Sequence, residues 1–263
     1  MQHADFDPPP LPPASADRES PDAPDAAGRP GALRGVVTLT LETHQAQRLV
    51  KGRPGNADRP AIIGLLGFAT LMRTIWHGAR ADDPYADWWL VRVHDALDTA
   101  DQLLQQSLAA TLSEFAANEA IQVTPGASVK PVRTPLRFSN PYAFRAARLL
   151  AVYDRLVRAS LTARHIGLLT RNDTERWLAR YGRDVRRALF SPVGYRLTGI
   201  TRADVRQRTA RYVQAAAQMG EVPEEVLSGR QRAPYAPAGP MSASPLTPHV
   251  ALQPATSCKT HDP

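Results

Sequence analysis

The sequence predicts a mainly α-helical fold with a small β ribbon made of two short strands. Long segments place apolar side chains at helical spacing, whereas two short segments alternate apolar and polar side chains as half-buried strands do. Proline, glycine and asparagine separate these segments, as is typical of loops. We therefore expect a single helical domain over residues 33–228 that contains both strands.

Proline-rich segments flank this predicted domain. Residues 1–30 contain eight prolines and carry six acidic against two basic side chains, and residues 229–263 contain seven prolines. Segments with so few large apolar side chains cannot bury enough surface to offset the entropy of ordering the chain. We expect residues 1–32 and residues 229–263 to be disordered.

The first predicted strand spans residues 33–42, because apolar and polar side chains alternate through the run VVTLTLE. A short helix over residues 43–51 follows, in which Thr43 suits the N-cap position and Gly52 stops the helix. The proline, glycine and asparagine that follow predict a loop over residues 52–59.

Two longer helices come next. Residues 60–79 begin with a proline, which suits the first position of a helix, and are apolar nearly all round. Such a helix is buried in a core or in an oligomer interface, and the glycines of its GLLG run favour close packing of neighbouring helices. Residues 83–115 begin with an Asp–Pro cap and form an acidic helix. Its aspartates are Asp87, Asp95, Asp98 and Asp101.

The second predicted strand spans residues 132–138 and is basic. Arg133 and Arg137 share one face, and Pro135 requires an edge strand or a bulge because proline donates no hydrogen bond to a ladder. The pairing of the two strands has two alternatives. Pairing between chains would make a dimeric ribbon. Pairing within one chain would leave no ribbon shared between two chains.

Three further helices are predicted after the second strand. The first spans residues 141–167, and the last spans residues 202–219 and begins with an approximate capping box at Thr201 and Asp204. The helix between them turns one side toward the core and carries arginines at helical spacing along another side. The inward residues are Trp177, Tyr181, Val185 and Ala188, and the arginine stripe is Arg176, Arg180, Arg183 and Arg187.

The charges are segregated along the chain. Residues 130–212 contain 19 Lys and Arg against five Asp and Glu, a net charge of +14, whereas residues 81–119 have a net charge of −7. A basic segment of this kind favours nucleic acid or another acidic surface as a partner. The alternative is that the arginine stripe is a solvated face or pairs with the acidic helix over residues 83–115.

Enzyme chemistry has little support in the sequence. The chain lacks a phosphate-binding loop, its seven histidines show no metal-ligand spacing, and its one cysteine, Cys258, excludes an internal disulfide. Asp82, Asp83 and Asp87 are interpreted as helix-terminal acids rather than metal ligands. The longest apolar run has 12 residues, which is too short to span a bilayer. We expect a cytoplasmic protein that is not an enzyme and that holds no metal or cofactor.

Four blocks of the sequence resemble a known family. They are LRGVVTLTLETHQAQRLVKGR, RPAIIGLLGFATLMRTIWHGARADDPYADWWL, PLRFSNPYAFRAARLLAVYDRLVRASLTARHIGLL and GEVPEEVLSGRQRAPYAP. The chain is similar in these blocks to proteins encoded in integrating conjugative elements of proteobacteria. It also resembles, more distantly, the AcaB-type transcriptional activators of conjugative plasmids. This resemblance implies a dimeric ribbon-helix-helix DNA-binding protein that controls transfer genes.

A ribbon-helix-helix-like element has two alternative positions within the helical domain. The first uses the strand over residues 36–42 with the helices over residues 43–51 and 60–79. The second uses the strand over residues 132–138 and the helix after it, which is far too long for the motif. We prefer the first position because the order and lengths of its elements suit the motif. We keep the second because its strand is more basic.

Two functions follow as hypotheses. The first is a DNA-binding regulator of transfer or maintenance genes of an integrating conjugative element, with double-stranded DNA as partner and with a homodimer as the implied state. The alternative is a structural or adaptor protein that contacts conjugation proteins through the helix over residues 60–79 and Trp88-Trp89. The residues expected at base edges are Arg34, Thr38 and Thr40, with Arg133 and Arg137 as a second set, and those expected at phosphates are Arg176, Arg180, Arg183 and Arg187.

Overall fold

A computed structural model describes residues 37–117 and 121–238, which belong to one compact unit. These described residues form eight helices and two small antiparallel sheets of two strands each, so the expected mainly helical class is confirmed. The strands are β1 (Val37–Leu41), β2 (Gly52–Arg53), β3 (Ile62–Ile63) and β4 (Val132–Leu136). The helices are α1 (His44–Lys51), α2 (Leu65–Arg80), α3 (Pro84–Ala116), α4 (Pro141–His165), α5 (Arg171–Phe190), α6 (Arg202–Arg206), α7 (Ala210–Met219) and α8 (Glu224–Leu227).

Helix α4 forms the centre of the core. It packs against α3 along its length and also contacts α5, α1, α2 and β1. Fourteen of its 25 residues are buried, so it meets other elements on several sides rather than along one stripe. Asn140 caps it by accepting a hydrogen bond from the Ala143 backbone N–H, as the Asn–Pro sequence predicts. Both the strand β1 and the helix α5 pack against it.

The two predicted strands pair with each other within one chain. β1 and β4 form an antiparallel ribbon in which Leu41 lies opposite Val132 and Val37 lies opposite Leu136. Pro135 is tolerated because each strand of a two-stranded sheet is an edge strand. The ribbon is therefore complete without a second copy of the chain.

A second, smaller hairpin occupies the segment that was predicted to be a loop and the start of a helix. β2 pairs with β3, so the helix expected from residue 60 begins at Leu65 instead. Gly52 and Gly64 pack backbone against backbone. A Cβ placed on Gly52, which has a φ of 71°, would lie 2.1 Å from the Ile62 carbonyl oxygen. Gly64 thus serves this hairpin rather than the helix packing that its GLLG run suggested.

The last predicted helix is broken into two. The capping box of Thr201 and Asp204 is present at the start of α6, as expected. The chain then leaves helical geometry at Arg208, which has a φ of 49°, and Thr209 caps α7. The single helix predicted over residues 202–219 was therefore wrong, since a second N-cap within that segment begins a new helix.

The C-terminal part of the described chain packs against the helices. We expected disorder from residue 229, but Ala233 is buried and the Tyr235 ring lies 5.9 Å from the Tyr142 ring, edge to face. The Arg145 guanidinium lies 5.4 Å from the centre of the Tyr235 ring. Short-range sequence patterns miss such a segment because its order comes from contacts with distant helices. Residues 239–263, like residues 1–36, lie outside the described residues.

The most apolar predicted elements are used inside the chain. Phe68, Met72 and Ile75 of α2 are fully buried, and Trp89 is also buried, with Trp88 half-buried beside it. These are the side chains that the adaptor hypothesis placed at a protein interface, and they form the protein's own core instead. Among the described residues, no helix combines the length and hydropathy that crossing a membrane requires.

Candidate nucleic-acid interface

The outer face of the β1–β4 ribbon gathers residues from both predicted positions of the DNA-reading strand. Thr38 and Thr40 are exposed, whereas Leu39 and Leu41 between and after them are buried. Thr40 lies directly opposite Arg133 in the register, and residues that face each other in an antiparallel pair share one side of the sheet. The two alternatives of the sequence prediction therefore form a single exposed surface.

The remaining candidates for base contact are placed less regularly. Arg137 is exposed and comes just after the end of β4, so it extends the basic edge of the ribbon without belonging to its paired face. Arg34 lies outside the described residues.

A buried carboxylate fixes the corner between β1 and α1. Asp154 of α4 accepts hydrogen bonds from the backbone N–H groups of Glu42 (3.0 Å) and Thr43 (2.8 Å) and from the Thr43 hydroxyl (2.7 Å). Thr43 also caps α1 by accepting from the Ala46 backbone N–H. The angle between β1 and α1 is thus set by a side chain of α4, the central helix of the core.

The other strand of the ribbon is held at its entry by the same region of α4. The Arg158 guanidinium donates to the Glu42 carboxylate at 2.6 Å and to the Gly126 carbonyl oxygen at 2.7 Å. Glu42 also accepts from the Ser128 backbone N–H at 2.7 Å. Since both strands are attached to one helix, the outer face of the ribbon has a fixed orientation on the molecule.

The arginine stripe of α5 faces solvent. Arg176, Arg180, Arg183 and Arg187 are all exposed, while Tyr181, Val185 and Ala188 on the same helix are buried as predicted. Trp177, predicted to face inward, is instead partly exposed at the edge of the helix, with 38% of its surface accessible.

Acidic neighbours on the same helix accompany the stripe at two points. Arg176 pairs with Asp173 and Arg187 lies 3.9 Å from Asp184. The Thr170 hydroxyl and then Arg176 hold the pKa of the Asp173 carboxyl below its usual range, so it stays ionised. Both arginines remain largely exposed, and surface pairs of this kind contribute little, so they leave the arginines available to an anion.

The acidic helix α3 has other basic partners. Its Asp98 pairs with Arg145 of α4 at 2.9 Å. Its buried Asp87 pairs with Arg202 of α6, a side chain that also pairs with Asp82. The alternative in which the stripe is neutralised by α3 is therefore wrong. Separate arginines on α4 and α6 meet these carboxylates.

A basic cavity lies beneath the ribbon. Its volume is about 710 Å³, and it is lined by the inner side of the ribbon, by α1, by β2 and by α5. The sequence prediction missed the basic side chains that line it, although α1 showed two of them in its last turn. These side chains are His44, Arg48, Lys51, Arg53 and Arg186.

The candidate site contains no converging metal ligands. In the described part of the chain, no three histidine, cysteine, aspartate or glutamate side chains come together as a metal site would need. The exposed groups of the ribbon and the stripe are hydroxyls and guanidinium groups, which donate hydrogen bonds to phosphates and base edges.

Comparison with solved structures and with protein families identifies the fold and the family of this chain. The crystal structure of selenomethionine-containing AcaB from uropathogenic E. coli has the same fold, with a TM-score of 0.53 and 12% sequence identity. The match covers 75% of this chain and 97% of that chain. The class is thus that of mainly helical proteins with the AcaB fold. No curated protein matches the sequence significantly.

A family model described as transcriptional regulator AcaB matches residues 29–238. The chain belongs to the AcaB family of transcriptional regulators. The more distant resemblance, to AcaB-type transcriptional regulators, is confirmed.

Proposed function

We propose that this protein binds double-stranded DNA as a transcriptional regulator that controls transfer or maintenance genes of an integrating conjugative element. The observation that carries the proposal is the outer face of the β1–β4 ribbon, where Thr38, Thr40 and Arg133 share one exposed surface. A two-stranded ribbon fits the major groove and presents alternate side chains to base edges. Membership in a family of transcriptional regulators supports the same reading.

The residues of the interface have distinct roles in this proposal. Arg133 can donate two hydrogen bonds to guanine, and the threonines can contact either kind of base pair. The four exposed arginines of the α5 stripe bind backbone phosphates. Arg137 extends the basic edge of the ribbon toward the same backbone, and Arg34 precedes the first strand in the sequence.

The ribbon-helix-helix analogy changes in one respect. In that motif two chains each contribute one strand, whereas here one chain contributes both strands. A homodimer, which the resemblance implies, would present two complete ribbons to two half-sites, and its contacts would lie elsewhere on the surface.

Selection from a random duplex library, followed by sequencing, tests the proposal with the full chain. Wild-type protein should enrich one sequence motif. The variant Arg133→Gln should bind the selected site about tenfold more weakly and lose preference at one position, because a bidentate contact contributes about 1–3 kcal/mol of discrimination.

The matched control is Arg73→Gln, which removes the same charge from an exposed position on α2. It should leave the selected motif and the affinity within about twofold of wild type. Absence of binding to any duplex at low salt would overturn the proposal, and so would an equal loss of preference in both variants.

The structural-adaptor alternative gains no support from the fold. The large apolar side chains Phe68, Met72 and Ile75 of its proposed interface on α2 are buried in the protein's own core, as is Trp89. Recovery of transfer proteins after complete nuclease digestion is the result that would favour it.

A further inference from the structure

The cavity beneath the ribbon is strongly basic and has no acidic wall. Five basic side chains line it, those of His44, Arg48, Lys51, Arg53 and Arg186, and none of its lining residues is Asp or Glu. In the described part of the chain, none of the three lining arginines or Lys51 takes part in a salt bridge. Like charges gathered around one space repel each other, and an anion in that space removes the repulsion.

Two of these arginines are positioned by the fold rather than free on the surface. Arg53 donates to the Pro60 carbonyl oxygen at 3.1 Å, while its Nε is buried and has no hydrogen-bond partner. An unpaired buried donor is costly, and an acceptor supplied by a ligand would remove that cost.

The second positioned arginine, Arg186, lies over Gly182. A Cβ on Gly182 would lie 3.3 Å from the Arg186 guanidinium and 3.1 Å from the Tyr153 hydroxyl. Burial raises the pKa of the Tyr153 hydroxyl, and the charge of Arg186 opposes that rise. The absence of a side chain at residue 182 therefore leaves room for both groups at the wall of the cavity.

Apolar side chains also line the cavity. Leu49, Val50 and Ile62 line it together with Leu41 and Val132 of the ribbon. A volume of about 710 Å³ falls in the range of small-molecule sites, roughly 300–1,000 Å³. A ligand that suits both kinds of side chain carries phosphate groups together with a flat, weakly polar group.

We propose that this cavity binds a nucleoside phosphate. Its phosphates would contact Arg48, Arg53 and Arg186, and its base would contact the apolar side chains of the lining. The proposal does not depend on the DNA-binding function, since the cavity lies beneath the inner side of the ribbon whereas the proposed DNA contacts are on its outer side. A ligand in the cavity would touch Val132 and Thr134, which belong to the ribbon itself.

Isothermal titration calorimetry on the full chain, without DNA and at near-physiological salt, tests the proposal. The probes are ATP and GTP, and adenosine is the control that lacks phosphates. At least one nucleotide should bind with a micromolar dissociation constant and adenosine should not bind detectably. Arg186→Gln should weaken nucleotide binding at least tenfold, whereas Arg73→Gln, which removes an exposed charge from α2, should change it less than twofold.

Four results would overturn the proposal. They are no binding of either nucleotide, equal binding of adenosine, equal weakening in the two variants, and an Arg186→Gln variant that loses DNA affinity while binding nucleotide as wild type does. The last result would assign the cavity to a DNA phosphate. If Arg186→Gln does not fold, as judged by its thermal melt, Arg53→Gln replaces it with the same expected loss. The DNA selection is measured separately, so failure of one proposal is distinguishable from failure of the other.

Discussion

Asp154 is the residue that connects the central helix to the candidate interface. Its carboxylate is 4% exposed and accepts three hydrogen bonds from the corner between β1 and α1. Charged acceptors make stronger hydrogen bonds than neutral ones. Here the carboxylate oxygens take the place of the water that two backbone N–H groups would otherwise bind. The orientation of the first strand therefore depends on a single side chain from a distant part of the sequence.

Replacement of this carboxylate should destabilise the fold measurably. Asp154→Ala leaves the buried N–H of Thr43 and the part-buried N–H of Glu42 without a partner, so we expect the free energy of unfolding to fall by about 2–4 kcal/mol. Urea denaturation monitored by circular dichroism measures the change. The matched control is Arg155→Ala at the next, exposed position of α4, which should cost less than about 0.5 kcal/mol. Equal stability of the two variants would show that Asp154 does not hold the corner.

Residue-level predictions succeeded where a side chain acts on its near neighbours. The alternation of side chains predicted that Thr38 and Thr40 face outward, and both are exposed. Thr43 caps α1, as was also predicted. The role of Asp154 could not be predicted, because its partners are 111 and 112 residues away in the chain. Nothing in its local sequence distinguishes it from an ordinary helix-surface aspartate.

At the scale of elements, the ribbon is the feature that departs from a ribbon-helix-helix. Both of its strands come from one chain. Asp154 of α4 accepts a hydrogen bond at the end of β1, and Arg158 of α4 donates to Gly126 in the segment that leads to β4. A monomer can therefore present the whole candidate DNA-reading surface.

A cysteine pair tests whether the ribbon forms within one chain. Thr40 and Arg133 lie directly opposite each other, and such pairs have Cα atoms about 4.5–5.5 Å apart, which is within the range of disulfides. In a Cys258→Ser background, the double variant Thr40→Cys, Arg133→Cys should form an intramolecular disulfide on oxidation. Non-reducing electrophoresis and intact mass spectrometry should show a monomer that is lighter by two hydrogens.

The matched control for this pair is the single variant Thr40→Cys in the same background, which has no partner cysteine within the chain. It should stay a free thiol at low protein concentration. A disulfide-linked dimer as the main product of the double variant would contradict the intrachain ribbon.

Helix α5 should determine how strongly DNA binding depends on salt. Each phosphate neutralised by an arginine contributes about 0.9 to the slope of log affinity against log salt concentration. The double variant Arg180→Gln, Arg183→Gln should reduce that slope by about 2 and leave the selected sequence motif unchanged, because phosphate contacts carry no direct sequence information. Fluorescence anisotropy at four or more salt concentrations measures the slope. An unchanged slope would show that the arginine stripe does not contact DNA phosphates.

At the scale of the whole molecule, buried ion pairs join three parts of the chain. Arg202 is 4% exposed, and its guanidinium donates to Asp87 and Asp82 and to the Leu227 carbonyl oxygen. Arg232 from the C-terminal segment reaches the same Asp87 at 3.5 Å. The net charge of −7 in residues 81–119 is thus partly compensated inside the fold by arginines from α6 and from the C-terminal segment.

Two truncations test the contribution of the C-terminal segment. Removal of residues 229–263 deletes Arg232, the buried Ala233 and the Tyr235 ring, so we expect a loss of about 2 kcal/mol or more, or about 4–8 °C in melting temperature. Removal of residues 239–263 alone should leave the melting temperature within about 1 °C of the full chain, as the proline-rich composition predicts. Differential scanning calorimetry measures both. Equal melting temperatures for the two truncations would show that the segment over residues 229–238 does not stabilise the fold.

The sequence by itself determined the features that depend on neighbours a few residues apart. These are the helical class, the alternation of the two strands, the caps at Thr43, Asp83, Asn140 and Thr201, and the spacing of the arginine stripe. Hydrophobic periodicity and capping act over one or two turns of chain, so a single sequence records them.

The tertiary structure alone decided which distant segments meet. It paired β1 with β4, left the arginine stripe of α5 in solvent while other arginines paired with α3, and placed Arg53 and Arg186 around one cavity. These outcomes depend on the packing of α4 against α1, α2, α3, α5 and β1. Local patterns cannot specify them, because the energies that select one arrangement come from contacts between residues far apart in the chain.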